Sequence, residues 1–126
     1  MPSTETGSGR PGDGFTFINT FEIESEVIEF FCERWVERSR HMKVADGFIS
    51  ATLYRAKTSD ARFQLVNVSE WASEAAFEAA THNPTYRVEL DQLFEDLGPR
   101  MVANRGHYQV HAHFVHVETN PDASES

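Results

Sequence analysis

The sequence predicts an α+β domain in which one antiparallel sheet carries helices on a single face. Strand-like stretches of alternating apolar residues and amphipathic helical stretches follow one another in the order β-α-β-β-α-β. Many of the ten Phe, three Tyr and two Trp fall on the predicted apolar faces. A length of 126 residues leaves room for one such domain and no second one.

Each element has its own warrant. Phe15 to Ile23 alternates, with Phe15, Phe17, Asn19 and Phe21 on one face, and reads as a first strand. Ser25 is a candidate N-cap, and Glu24, Glu26 and Glu29 favour a helix start through its dipole. Ile28, Phe31, Trp35 and Met42 then recur at helical spacing, with Arg38, Arg40, His41 and Lys43 toward the end and a stop near Asp46-Gly47. Phe48 to Arg55 and Arg62 to Glu70 read as a hairpin around the turn Thr58-Ser-Asp60. Ser73 to Ala80 is a short helix, broken at Asn83-Pro84, and Tyr86 to Leu97 is a further helical segment ending at Gly98-Pro99. Tyr108 to Val117 is expected as the last strand. This order is the split βαβ, ferredoxin-like pattern with an added helix. Its four-stranded sheet has one open apolar face, and a symmetric partner is the simplest cover, so a homodimer is expected.

Residues 1–13 are rich in Gly, Pro, Ser and Thr and read as a disordered arm, as does the tail 119–126; the domain spans 14–118. The formal charge of −9, from 11 basic and 20 acidic residues, argues against nucleic acid or an anionic membrane as a partner. One cysteine, Cys32, excludes an internal disulfide and reads as a small core residue. With no long apolar run and no signal-peptide layout, a cytoplasmic protein is the expectation.

The stretch from Phe63 to Phe77 carries the most chemistry. Along a strand Phe63, Leu65, Asn67, Ser69 and Trp71 share a face, so a carboxamide and an indole N–H project from one apolar surface. Burying them costs free energy unless each finds a partner. Either the fold satisfies both or they are kept for a ligand. Asn19 poses the same alternative on the first strand. Of His107, His111, His113 and His116, the pair His111 and His113 would share a strand face with Cα atoms roughly 7 Å apart. They are expected to line a pocket, with no metal, since no acidic or cysteine partner stands beside them.

Phe17-Ile-Asn19-Thr-Phe21, Phe31…Trp35, Asp46-Gly47-Phe48-Ile49-Ser50 and Leu65-Val66-Asn67-Val68-Ser69-Glu70-Trp71-Ala72-Ser73-Glu74-Ala75-Ala76-Phe77 together resemble the antibiotic biosynthesis monooxygenase family over about residues 14 to 117. The resemblance implies a dimeric α+β barrel with a ligand pocket in each subunit. In the branch that oxidises aromatic polyketides it implies oxygenation without metal, flavin or haem, with molecular oxygen as co-substrate. Asn67 and Trp71 match that branch's catalytic pair, and Arg87 is the nearest match to its arginine. Phe17, Asn19, Tyr54, Tyr86, Arg87, His111 and His113 are the expected substrate contacts. A haem-degrading branch is similar over the same span; Asn19 matches its asparagine, but Ala80 and Leu90 stand at its tryptophan and histidine positions.

The chemistry so implied is oxidation of an electron-rich phenol or anthrone to a quinone. Neutral donors hold the substrate anion, each contributing about 2–4 kcal/mol to the barrier. A cyclase or isomerase, or a non-catalytic carrier of a hydrophobic ligand, would use the same pocket.

Overall fold

The computed structural model describes residues 14–119. The arm expected at 1–13 and the tail from residue 120 onward lie outside them. Four strands, β1 (Phe15–Ile23), β2 (Phe48–Arg55), β3 (Leu65–Trp71) and β4 (Met101–Tyr108), form one antiparallel sheet in the order β2-β3-β1-β4. The helices are α1 (Ile28–Lys43), α2 (Glu74–Thr81) and α3 (Pro84–Leu97). The architecture is the α+β, ferredoxin-like one.

Alternation decides which side chains meet the helices. Along β1 every second residue, from Phe15 to Ile23, is buried. Phe21, Phe31, Leu65, Leu93 and Leu97 form one apolar cluster, and Phe15, Phe17, Trp71 and Phe77 a second. Fully burying side chains such as Phe31 or Leu65 stabilises the fold by about 1.5–3 kcal/mol each. Asn19 sits on the same face between the two clusters, where an apolar residue would have joined them.

Several boundaries follow from local chemistry. Ser73 caps α2 by accepting from Ala76 N at 3.1 Å, and Asn83 caps α3 by accepting from Thr85 N at 2.8 Å, with Pro84 opening the helix. Gly47 has φ +83°, and a Cβ there would stand 2.5 Å from Ala76 Cβ, so the turn into β2 packs directly on α2.

Three expectations are corrected. Ser25 caps nothing; it opens a short 3-10 turn, Ser25–Val27, ahead of α1. The third strand begins at Leu65 because Arg62 to Gln64 belong to the loop, where Gln64 Nε2 donates to Thr58 O and Ala61 O. The last strand is Met101–Tyr108 and not Tyr108 to Val117. From Gln109 to residue 119 the described chain has no regular structure and is mostly exposed, Phe114 to 91%.

Among the described residues no helix covers the outer face of the sheet. Tyr54 of β2 and Val102 and Tyr108 of β4 are exposed there, while Ile18, Val66 and Val68 are half-buried.

Candidate functional site

A cavity of about 690 Å³ lies between the inner face of the sheet and the α1–α3 layer, with Phe77 of α2 at one end. That volume suits a polycyclic aromatic molecule. Its floor is set by strand register. Asn67 lies opposite Asn19, and Asn19 opposite Arg105, so three polar side chains form a row across β3, β1 and β4. The next row is Ser69, Phe17 and His107.

The two asparagines are unlike ordinary buried amides. Asn19 is 7% exposed, and neither Asn19 Oδ1 nor Asn67 Oδ1 has a hydrogen-bond partner among the described residues. Leaving such a group unpaired costs about 1–3 kcal/mol. Both residues line the cavity, where a ligand hydroxyl can donate to these oxygens and the amide NH2 groups can donate to a ligand oxygen.

Trp71 differs from expectation. It is 2% exposed and packs edge-on against Phe48 and Phe77, with centroids 5.1 and 5.5 Å away. Its indole N–H donates to Ser69 Oγ at 3.0 Å, so it does not point free into the cavity. Ser69, also buried and on the cavity wall, retains its own hydroxyl hydrogen to donate. The indole N–H therefore acts on a ligand through the serine hydroxyl, although Trp71 also lines the cavity.

His107 closes the floor on the β4 side. Its Nδ1 lies 2.8 Å from Glu74 Oε2, at the start of α2. Its ring sits edge-on to Phe15, Phe17 and Phe77, with centroids 5.2, 5.8 and 5.6 Å away. A carboxylate on Nδ1 fixes that nitrogen as the donor and leaves Nε2 as a proton acceptor.

The other expected contacts divide. Phe17, Tyr86 and Arg87 line the cavity, though Arg87 is half-exposed and pairs with Asp91 at 3.6 Å. Tyr54 does not, because its register partner Val66 places it on the outer face. His111 and His113 do not either; they follow β4 and are exposed, and Arg105 and His107 occupy the cavity positions expected of them. Among the described residues no three His, Cys, Asp or Glu side chains converge on a point. Cys32 packs against the core, and burial pushes its thiol pKa up.

The cavity roof is fastened by charge. Arg34 of α1 meets Asp96 of α3 at 3.7 Å, and Glu89 of α3 takes both Arg40 and His41, the latter at 3.4 Å. The hydrogen bond from Arg40 holds the Glu89 carboxyl below the usual range, against desolvation, with His41 adding to the pull. A carboxyl lowered in the fold stabilises it above the unfolded value of about 4.3 and loses that effect as pH falls through the lower, folded value. Glu89→Gln should therefore cost up to about 1 kcal/mol near neutral pH, this being a partly exposed pair. The difference should fade as pH falls through the lowered carboxyl value, read by urea unfolding at neutral and at strongly acid pH.

Residues 14–88 match the family model described as antibiotic biosynthesis monooxygenase. The chain belongs to the antibiotic biosynthesis monooxygenase family. That membership makes it an oxidoreductase. The chain is 31% identical over 83 residues to a Streptomyces glaucescens protein named tetracenomycin-F1 monooxygenase, an alignment spanning 63% of this chain and 69% of that relative. In fold it resembles SnoaB, a cofactor-independent oxygenase of Streptomyces nogalater, with TM-score 0.62 and 24% identity over 87% of this chain and 99% of SnoaB. A haem-degrading protein of Mycobacterium tuberculosis shares the fold too, with TM-score 0.56 and 18% identity over 85% of this chain and 98% of that one.

Proposed function

We propose that this member of the family oxidises an electron-rich phenol or anthrone of polyketide type to a quinone, with molecular oxygen and no cofactor. The observation that carries the reading is the pair of carboxamides, Asn67 and Asn19, side by side on an aromatic cavity floor with both Oδ1 atoms open to a substrate hydroxyl. The names of the Streptomyces relatives support it.

The steps follow from the residues. His107 Nε2, oriented by Glu74, takes a proton from the substrate, whose ring becomes an anion held by the Nδ2 amide N–H groups of Asn67 and Asn19. The Ser69 hydroxyl, backed by the Trp71 indole, offers a further donor. The anion passes one electron to oxygen, and the radical pair closes a carbon–oxygen bond to give a peroxide. Loss of water leaves the carbonyl of the quinone. One oxygen atom enters the product and the other leaves as water, so no external reductant is needed. The aromatic walls keep solvent from the anion.

Haem breakdown is not carried over from the mycobacterial neighbour. Ala80 and Leu90 offer no indole and no imidazole at the positions the haem-degrading pattern requires.

A second copy of the chain is the proposed cover for the outer sheet face. The exposed Tyr54, Val102, Tyr108 and Phe114 support it, since apolar residues of this number are a liability when wet. Light scattering on the purified protein should return the mass of two chains; a single-chain mass at micromolar concentration contradicts it.

The oxygenase reading is tested by anthrone conversion with and without air. Quinone formation confined to the aerobic sample is expected. A different product formed equally without oxygen would point to a cyclase, and tight binding without any product to a carrier.

A further inference from the structure

The α1 stripe that faces the cavity contains a charge. Phe31, Trp35, Arg38 and Met42 recur at the spacing of one helix face, and all four line the cavity. Arg38 is 7% exposed, and its Nε and Nη1 have no hydrogen-bond partner among the described residues.

Three acids of α3 are committed to other partners. Glu89 serves Arg40 and His41, Asp96 serves Arg34, and Asp91 serves Arg87. Burial lowers the Arg38 pKa, and Tyr86 and then Glu89 act in the opposite direction. A neutral tyrosine hydroxyl is a weak answer to a desolvated guanidinium. If the position served packing alone, a Leu or Met would fill it with no charge to desolvate.

We propose that Arg38 is an anion-binding site: the cavity takes an aromatic substrate bearing a carboxylate or an ionised hydroxyl, and that group docks on the guanidinium fork. The planar fork offers two parallel N–H donors, which is the geometry a carboxylate accepts. The Asn67–Asn19 row lies on the opposite wall, so a flat ring between them is held at both faces of the cavity. This rests on the cavity being the substrate pocket, but not on oxygenation.

The test is therefore a binding measurement with quinones, which the proposed reaction does not consume. Quenching of Trp35 and Trp71 fluorescence reports binding of anthraquinone-2-carboxylate and of its neutral carboxamide to the full-length protein. The carboxylate should bind about tenfold or more tighter, a gap that Arg38→Gln closes and Arg38→Lys partly restores, with carboxamide affinity unchanged. A second arm uses alizarin, whose colour reports ionisation of its hydroxyl. Bound to the wild type it should ionise at lower pH than when bound to Arg38→Gln. Response in the first arm alone assigns a carboxylate, and in the second alone an ionised hydroxyl. Equal affinity for carboxylate and carboxamide together with an unshifted alizarin overturns the proposal, as does an Arg38→Gln variant that weakens acid and amide alike. A carboxylate preference in a protein that oxidises no anthrone would sink the oxygenase reading and leave this one standing.

Discussion

Asn67→Ala should lower kcat for anthrone oxidation by about 10²-fold or more while leaving the fold intact. The asymmetry follows from the geometry. Asn67 Oδ1 has no partner among the described residues, so truncation strands no other group. Its neighbours across the sheet are Asn19 and Leu53, and the ladder that holds β3 between them is made by backbone groups. Stability should accordingly change by less than about 1 kcal/mol. What disappears is a dipole fixed where the substrate oxygen gains charge. Steady-state oxygen uptake set beside urea unfolding separates the two effects. Wild-type turnover in a stably folded Asn67→Ala protein would remove the carboxamide from the mechanism.

His107→Ala is expected to have an effect of similar size, about 10²–10⁴-fold on kcat. Its Nδ1 is held by Glu74, and the ring is wedged edge-on among Phe15, Phe17 and Phe77, so Nε2 is presented in one orientation. Two readouts separate a proton acceptor from a packing residue. Added imidazole should restore part of the activity, because the half-exposed position leaves an opening that solvent-borne base can reach. The deficit should also shrink at high pH, where hydroxide ionises the substrate before it binds. Glu74→Gln should cost less, since it loosens the ring without removing it. A His107→Ala enzyme that imidazole does not rescue, with the same deficit at every pH, would assign His107 to packing.

Much of the fold is legible because the two central strands, β3 and β1, bury one face. β1 and β2 match the predicted ranges residue for residue, Phe15–Ile23 and Phe48–Arg55, and in β1 the alternation reflects a core on one side only. β4 was displaced for the same physical reason. Along Met101–Tyr108 the inward residues include Arg105 and His107, because that part of the face meets a cavity instead of a core. The apolar alternation that marks a strand is therefore missing where the strand is. Val110 to Val117 shows a stronger pattern, yet pairs with no strand among the described residues. That displacement is why the sequence pattern points to His111 and His113, whereas Arg105 and His107 line the cavity.

Two other features needed side-chain geometry. Sequence puts Ser69 and Trp71 on one face, but only the structure shows the indole N–H spent on the serine. Arg38 reads as part of the basic end of α1, although its spacing from Phe31, Trp35 and Met42 places it on the apolar stripe. A cation at the inward position of an otherwise apolar face was the available signal.

The most direct measurement is oxygen uptake by purified, metal-stripped protein given dithranol or emodin anthrone. The expected result is uptake well above the spontaneous rate, one oxygen consumed per quinone formed, and loss of the enhancement in Asn67→Ala. Uptake no faster than the uncatalysed reaction, with the anthrone bound, would contradict cofactor-free oxygenation in this cavity.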